Sequence, residues 1–248
     1  ENDIVIVEKG GEIIPKIVGV ERQNNNQDSQ PIKFIENCPI CNARLIKEEG
    51  EAAHYCPNYN HCPPQILGRF QHFVSKKAMN IDSLGAERIK ILFSAGLIKD
   101  FSSFYTLKQD DIIGLGSLDK ENKTNIQEKG AKNIIQAINK SKEVEFEKVL
   151  YALGIRYVGE VTAKRLATTF QNIEYLIKAT KEELLSVEDV GERIANSIID
   201  YFSREENLDQ IKQLKDLGLQ FEIKQTQKTS NKLEGLSFVV SGTFANFS

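Results

Sequence analysis

The residues with the most specific chemistry are the four cysteines, which all lie between positions 38 and 62 in the pattern Cys38-x2-Cys41-x14-Cys56-x5-Cys62. Zinc takes four thiolates at the corners of a tetrahedron, each about 2.3 Å from the metal. A Cys-x-x-Cys turn brings two sulfurs onto one knuckle, and a second close pair supplies the other two. Pro39, Asn42, Pro57 and Asn60 favour such turns. Two disulfides are the alternative. No secretion signal is visible, which favours zinc, because the cytosol keeps thiols reduced. His54 and His61 could each replace a cysteine, but four cysteines already complete the shell, so both read as surface residues. A zinc with four cysteine ligands has no open position for water and is structural rather than Lewis-acidic. A loop this small has little core, so the metal would supply folding energy. Chelation is expected to loosen residues 38 to 62 and to disturb how the flanking domains sit.

A second constellation is a unit written four times between Asn80 and Phe202. Its anchors are Gly85, Gly159 and Gly191, with Gln127 as a degenerate fourth. An apolar residue precedes each anchor: Leu84, Ile126, Val158, Val190. Four, seven and eight residues after the anchors come Ile89/Leu92/Phe93, Ala131/Ile134/Ile135, Ala163/Leu166/Ala167 and Ala195/Ile198/Ile199. Three copies add an apolar residue at plus eleven: Ile138, Phe170, Phe202. This is helical spacing in one register. The last three anchors are 32 residues apart and the first gap is 42, so about ten residues are inserted, placed in the polar run Gly116 to Asn125.

Each unit therefore reads as a tight turn feeding a helix. Glycine permits positive φ and close approach of a backbone or an anion. The unpaired N–H groups at a helix start, with the positive end of its dipole, favour a phosphate. Contacts of that kind ignore base identity. Lys90, Lys132 and Lys164 recur five residues after their anchors. Glu128, Glu160 and Glu192 follow anchors directly; they suit a helix start but would repel a nearby phosphate. Repeats that exist only to stack on one another are the competing reading.

The elements that must position these residues follow from local pattern. Residues 4 to 20 read as two strands around Gly10-Gly11, with Pro15 off a central ladder site. Glu21 to Gln30 is a polar loop or linker. Gln65 to Ser75 has helical spacing and would join the cysteine segment to the first repeat. Lys76-Lys77 reads as solvated surface, with a phosphate contact as the other reading. Further helices are expected at Phe101 to Tyr105, Phe146 to Leu153, Glu174 to Leu185 and Leu208 to Leu217, with Phe221-Glu222-Ile223 extended. Tyr151, Tyr175 and Phe104 read as packing residues. Gln225 to Lys232 is a polar linker, and Leu233 to Phe244 starts a strand followed by a Gly-Thr turn.

The 248 residues are 40% hydrophobic and 27% charged, which is normal for a globular protein. No apolar run is long enough to span a membrane. The formal net charge of −3 and the sequence pI of about 5.8 lack the basic balance usual in nucleic-acid binders, although charge can be segregated onto one face. The chain starts at Glu1-Asn2-Asp3-Ile4 without an initiator methionine and stops inside a structural element. It reads as a piece of a longer cytoplasmic protein.

These residues resemble a known family. The turn-and-helix units look like helix-hairpin-helix motifs, which bind DNA backbone without sequence preference. Ala152 to Glu160, with Thr162-Ala163-Lys164, is similar to the third such motif of bacterial NAD-dependent DNA ligases. Val187-Glu188-Asp189-Val190-Gly191 resembles their fourth. Met79 to Gly85 resembles the first, with Ser83 where the family usually has glycine. The second departs most, with Gln127 at the anchor. The cysteine spacing is similar to the family's zinc finger, with Pro64 where alanine is commoner. Lys9 to Lys16 is similar to the end of its OB-fold, and Leu233 to Phe244 to the opening of its BRCT domain.

The resemblance implies a multidomain, mainly α chain. Residues 1–36 would be the last OB-fold strands with a linker, and 37–66 the zinc finger. The helix-hairpin-helix domain would occupy 67–224, a linker 225–232, and the start of a BRCT domain 233–248. It implies structural zinc on Cys38, Cys41, Cys56 and Cys62. DNA contacts would come from Gly85, Lys90, Arg156, Gly159, Lys164 and Gly191 in the minor groove. NAD and magnesium would serve the parent protein outside this chain, because no Lys-x-Asp-Gly nucleophile motif, Ser/His/Asp set or P-loop occurs here. The expected partner is nicked duplex DNA in replication and repair, bound by a monomer near the nucleoid. The alternative is a non-catalytic helix-hairpin-helix or scaffold module of another repair protein.

Overall fold

The computed structural model describes residues 4–11, 14–21, 33–47, 50–116 and 125–224. The expected linker at 225–232, the strand and turn from Leu233 and most of the polar insertion lie outside the described residues. The chain divides into two compact units, residues 1–66 and 67–248.

In the first unit, strands β1 (Val5–Gly10) and β2 (Ile14–Val20) form an antiparallel pair with an irregularity between Ile6 and Val7. Pro15 sits opposite Lys9 in a two-stranded pair, where an edge position is available to it. The apolar side chains of this pair are exposed: Ile6 by 54%, Ile14 by 74%, Ile17 by 63%. The cysteine segment follows, folded by the bridges Asn37 to Arg44 and Ile46 to Tyr55. Helix α1 (Pro63–Val74) starts next to its last cysteine, with proline at the first position, where the missing N–H costs nothing.

The described residues of the second unit are mainly helical. After α1 come α2 (Ala86–Ser94), α3 (Phe101–Thr106), α4 (Gln109–Ile112), α5 (Glu128–Ser141), α6 (Phe146–Ala152), α7 (Glu160–Phe170), α8 (Ile173–Lys178), α9 (Lys181–Leu185), α10 (Glu192–Phe202) and α11 (Glu205–Asp216). The stretch expected as one helix from Glu174 to Leu185 is two. Thr180 accepts from the Glu183 N–H and Glu183 reaches back to the Thr180 N–H, so a capping box starts α9 where α8 has ended. Asp100 and Ser103 do the same for α3.

The core follows the repeat. The residues at plus four and plus seven, Ile89/Leu92, Ala131/Ile134, Ala163/Leu166 and Ala195/Ile198, are all at most 1% exposed. The apolar residue before each anchor, Leu84, Ile126, Val158 or Val190, is buried as well. Plus eight lies at the margin of the stripe and is not uniformly buried: Ala167 is covered, whereas Ile199 is 41% exposed. Phenylalanines fill the centre near α1. Phe73 stacks on Phe101 at 4.3 Å and Phe70 meets Phe104 edge-on at 5.3 Å. Each such fully buried ring contributes about 2–3 kcal/mol. The C-terminal strand-like segment returns to the start of α8, where Ile173 N–H donates to Phe221 and Ile223 N–H to Gln171.

The inserted run is closed at its base. Gly116 pairs with Asn125, and Ile126 N–H donates to Leu115 at 2.8 Å. The Gln127 anchor therefore enters its helix in register with the others despite the extra residues.

Candidate metal centre and nucleic-acid interface

The cysteine segment builds two knuckles. In the first, Asn42 N–H donates to Cys38 O at 2.9 Å and Cys38 N–H to Ala43 O at 2.8 Å. Asn42 takes φ +58°, which asparagine tolerates. In the second, Cys62 N–H donates to Asn58 O at 2.8 Å. The four Sγ atoms lie within 4.8 Å of one another, with Cys41 to Cys56 at 3.5 Å and Cys38 to Cys62 at 3.9 Å. A tetrahedron of thiolates about 2.3 Å from a zinc ion has edges of about 3.8 Å, so the donor set fits that ion. The same distances are far from a disulfide bond, and all four are free thiols. The Ala43 N–H, pointing at Cys41, holds its thiol down at about 6, while burial pushes Cys62 up to about 12. Such N–H donors to sulfur steady metal-bound thiolates.

Neither histidine of the segment joins this cluster. His54 is half-buried and stacks on Phe34 at 4.2 Å; His61 is exposed. In the helical unit, His72 Nε2 bonds Tyr151 O at 2.8 Å and ties α1 to α6. Cys62 also caps the start of α1, its carbonyl accepting from Gln65 and Ile66 N–H.

In the helical unit, the four anchors, Gly85, Gln127, Gly159 and Gly191, are the N-cap residues of α2, α5, α7 and α10 and are exposed. No side chain caps any of the four helix starts. The expectation that the anchor glycines supply positive φ is not met. Gly85, Gly159 and Gly191 have φ −74°, −81° and −90°, in the extended region open to any residue. The left-handed residues stand two places earlier: Ser83 (φ 70°), Tyr157 (φ 67°) and Asp189 (φ 63°). A Cβ at any of the three glycines would meet nothing within 4 Å. Neither backbone conformation nor packing inside the chain calls for glycine there, and the space beside each Cα is open.

The other residues expected to contact DNA are exposed. Lys90, Lys132 and Lys164 are exposed on α2, α5 and α7. Arg156 is exposed in the third turn, its guanidinium 4.8 Å from the Tyr157 ring. Two of the three glutamates expected to repel phosphate, Glu160 and Glu192, are countered. Lys77 pairs with Glu160 at 3.1 Å, which raises the lysine's pKa, and Lys181 pairs with Glu192 at 2.7 Å. Lys77 is thus engaged with hairpin three rather than simply solvated. Tyr151 and Phe104 pack as expected, whereas Tyr175 is 64% exposed. Sequence reading missed Arg193, whose guanidinium lies 4.1 Å over the Tyr157 ring and donates to its hydroxyl, and also Arg165 and Ser197, which contact the neighbouring turn. A helical-periodicity search looks for apolar positions and passes over all three.

Known proteins agree with this arrangement. Residues 37–63 match the NAD-dependent DNA ligase C4 zinc finger domain and residues 148–211 the helix-hairpin-helix motif. A protein named DNA ligase from Christiangramia forsetii is 47% identical over 250 residues, covering 100% of this chain. Those of Bacteroides fragilis and Flavobacterium johnsoniae are 47% and 45% identical, over 99% and 100% of it. The chain spans 36% of the length of each of these relatives. It is homologous to them from end to end, and no helix among its described residues is long and apolar enough to cross a membrane.

Proposed function

We propose that this homologue of the DNA ligases is the part of an NAD-dependent DNA ligase that grips nicked duplex DNA by its backbone in replication and repair. The observation that carries this reading is the repeated helix start: three glycines with open space in front of them, at uncapped and exposed N-termini. Backbone N–H groups so presented, with the helix dipole behind them, bind phosphate without reading sequence. Gly85, Gly159 and Gly191 would let the sugar-phosphate backbone approach, with Lys90, Arg156 and Lys164 beside it. The second hairpin, with Gln127 at its anchor, would contribute packing more than contact.

In this reading Cys38, Cys41, Cys56 and Cys62 hold one structural zinc, whose role is to fold the segment and steady the start of α1. The adenylation chemistry, with its NAD and magnesium, resides elsewhere in the parent, and the chain alone is inactive. The exposed apolar residues of β1 and β2 support their assignment to the end of an OB-fold, completed by strands outside this chain. The segment from Leu233 would open a BRCT domain. The parent works as a monomer in the cytoplasm, beside the cell's DNA.

The test is binding of a labelled nicked duplex at low salt to the chain and to Gly159→Val/Gly191→Val. The space around both glycines lets the fold accept the change. The expected result is loss of binding with an unchanged circular dichroism spectrum. Equal binding by both proteins would remove the backbone-contact mechanism, and no binding by either would favour a packing or scaffold role for the repeats.

A further inference from the structure

Hairpins three and four brace each other's turns in matching register. Arg165, six residues after Gly159, leaves α7 to pair with Glu188 at 3.3 Å and with Asp189, three and two residues before Gly191. Ser197, six residues after Gly191, leaves α10 to donate to the Arg156 carbonyl at 2.8 Å, three residues before Gly159. Arg193 donates to the Tyr157 hydroxyl at 2.6 Å, reaching the residue two before Gly159. Position plus six of each helix thus holds the turn of the other hairpin, as a local two-fold relation requires.

Each brace lands on a strained residue or on its immediate neighbour. Tyr157 and Asp189 occupy equivalent places, both left-handed, and neither is glycine. Such a conformation persists only where the surroundings over-determine it. The N–H groups that follow, up to the anchors, inherit their direction from it. In hairpin one the equivalent Ser83 is held from its own helix, by Arg88 donating to its carbonyl at 2.6 Å. The crossed arrangement is therefore not a general requirement of the turn.

We infer that Arg165 and Ser197 are positioning residues, each setting the turn of the opposite hairpin, so that the Gly159 and Gly191 turns meet the duplex as one two-pronged unit. The inference rests on the backbone-grip reading for its DNA part and on contacts within the chain for the rest. Neither residue needs to touch DNA.

The test uses the whole chain with Arg165→Met, Ser197→Ala and, as the conservative variant, Arg165→Lys. Val158 N–H donates to Ile155 O at 3.0 Å and Val190 N–H to Val187 O at 3.1 Å, so each turn carries a protected amide as a reporter. In the free chain, Arg165→Met should speed exchange of the Val190 amide roughly tenfold and leave Val158 unchanged; Ser197→Ala should do the reverse. Each should weaken binding of a nicked duplex about fivefold, with Arg165→Lys regaining most of it. A change confined to the variant's own hairpin, or spread equally over both turns, overturns the crossed brace. Crossed exchange with undiminished affinity overturns the positioning role. If the unaltered chain binds no duplex, the grip itself fails, and the crossed exchange in the free chain still judges the brace separately.

Discussion

Gly154 and Gly159 stand five residues apart in one turn and meet different demands. Gly154 closes α6 at φ +70°, where a side chain is strained, whereas Gly159 is extended with nothing near its missing Cβ. Gly154→Ala should therefore cost about 1 kcal/mol in urea unfolding, and Gly159→Ala less than about 0.5 kcal/mol. Equal costs would mean that the anchor glycine serves the fold rather than a partner. Sequence reading credited the anchor glycines with both positive φ and close approach of an anion, and the first does not apply to Gly159. It had no means of finding Tyr157 as a left-handed residue, because ordinary turn preferences place glycine, asparagine or aspartate there, as at Asp189. The contacts that hold them explain the choice, and those contacts are long-range.

At the scale of elements, the helix starts were legible because a buried stripe at plus four and plus seven repeats four times without exception. Position plus six, at 100° per residue, lies well away from the centre of that stripe. Periodicity assigns it to solvent, and only the neighbouring hairpin reveals Arg165 and Ser197 as contacts. The split between α8 and α9 was missed for a related reason: apolar spacing continues across Ala179 and Thr180, and the capping box interrupts it. The clustering of the four cysteines was legible, since ligand spacing is itself the geometric constraint. Its last ligand, Cys62, accepts the first backbone bonds of α1. Exhaustive chelation should release one zinc per chain and raise hydrogen exchange over residues 38–66, with the plus-four and plus-seven residues of α5, α7 and α10 still protected. Unchanged exchange over the cysteine segment would show that zinc contributes no folding energy there.

For the whole molecule, a net charge of −3 argued mildly against a nucleic-acid partner. Around the third and fourth repeats the total says little about the local charge. Glu160, Glu192, Glu188 and Asp189, the acids nearest the third and fourth anchors, are each met by a lysine or arginine of this chain. Exposed pairs of this kind contribute little to stability, typically under about 1 kcal/mol each, but they remove the negative charge that a phosphate would otherwise face.

The backbone grip is tested most directly by the affinity of the chain for nicked duplex across a salt titration. Phosphate contacts release counterions, so the logarithm of the binding constant should fall linearly with that of salt, at a slope of about −2 or steeper, equally for duplexes of unrelated sequence. A flat response, or affinity that depends on the bases, would contradict it.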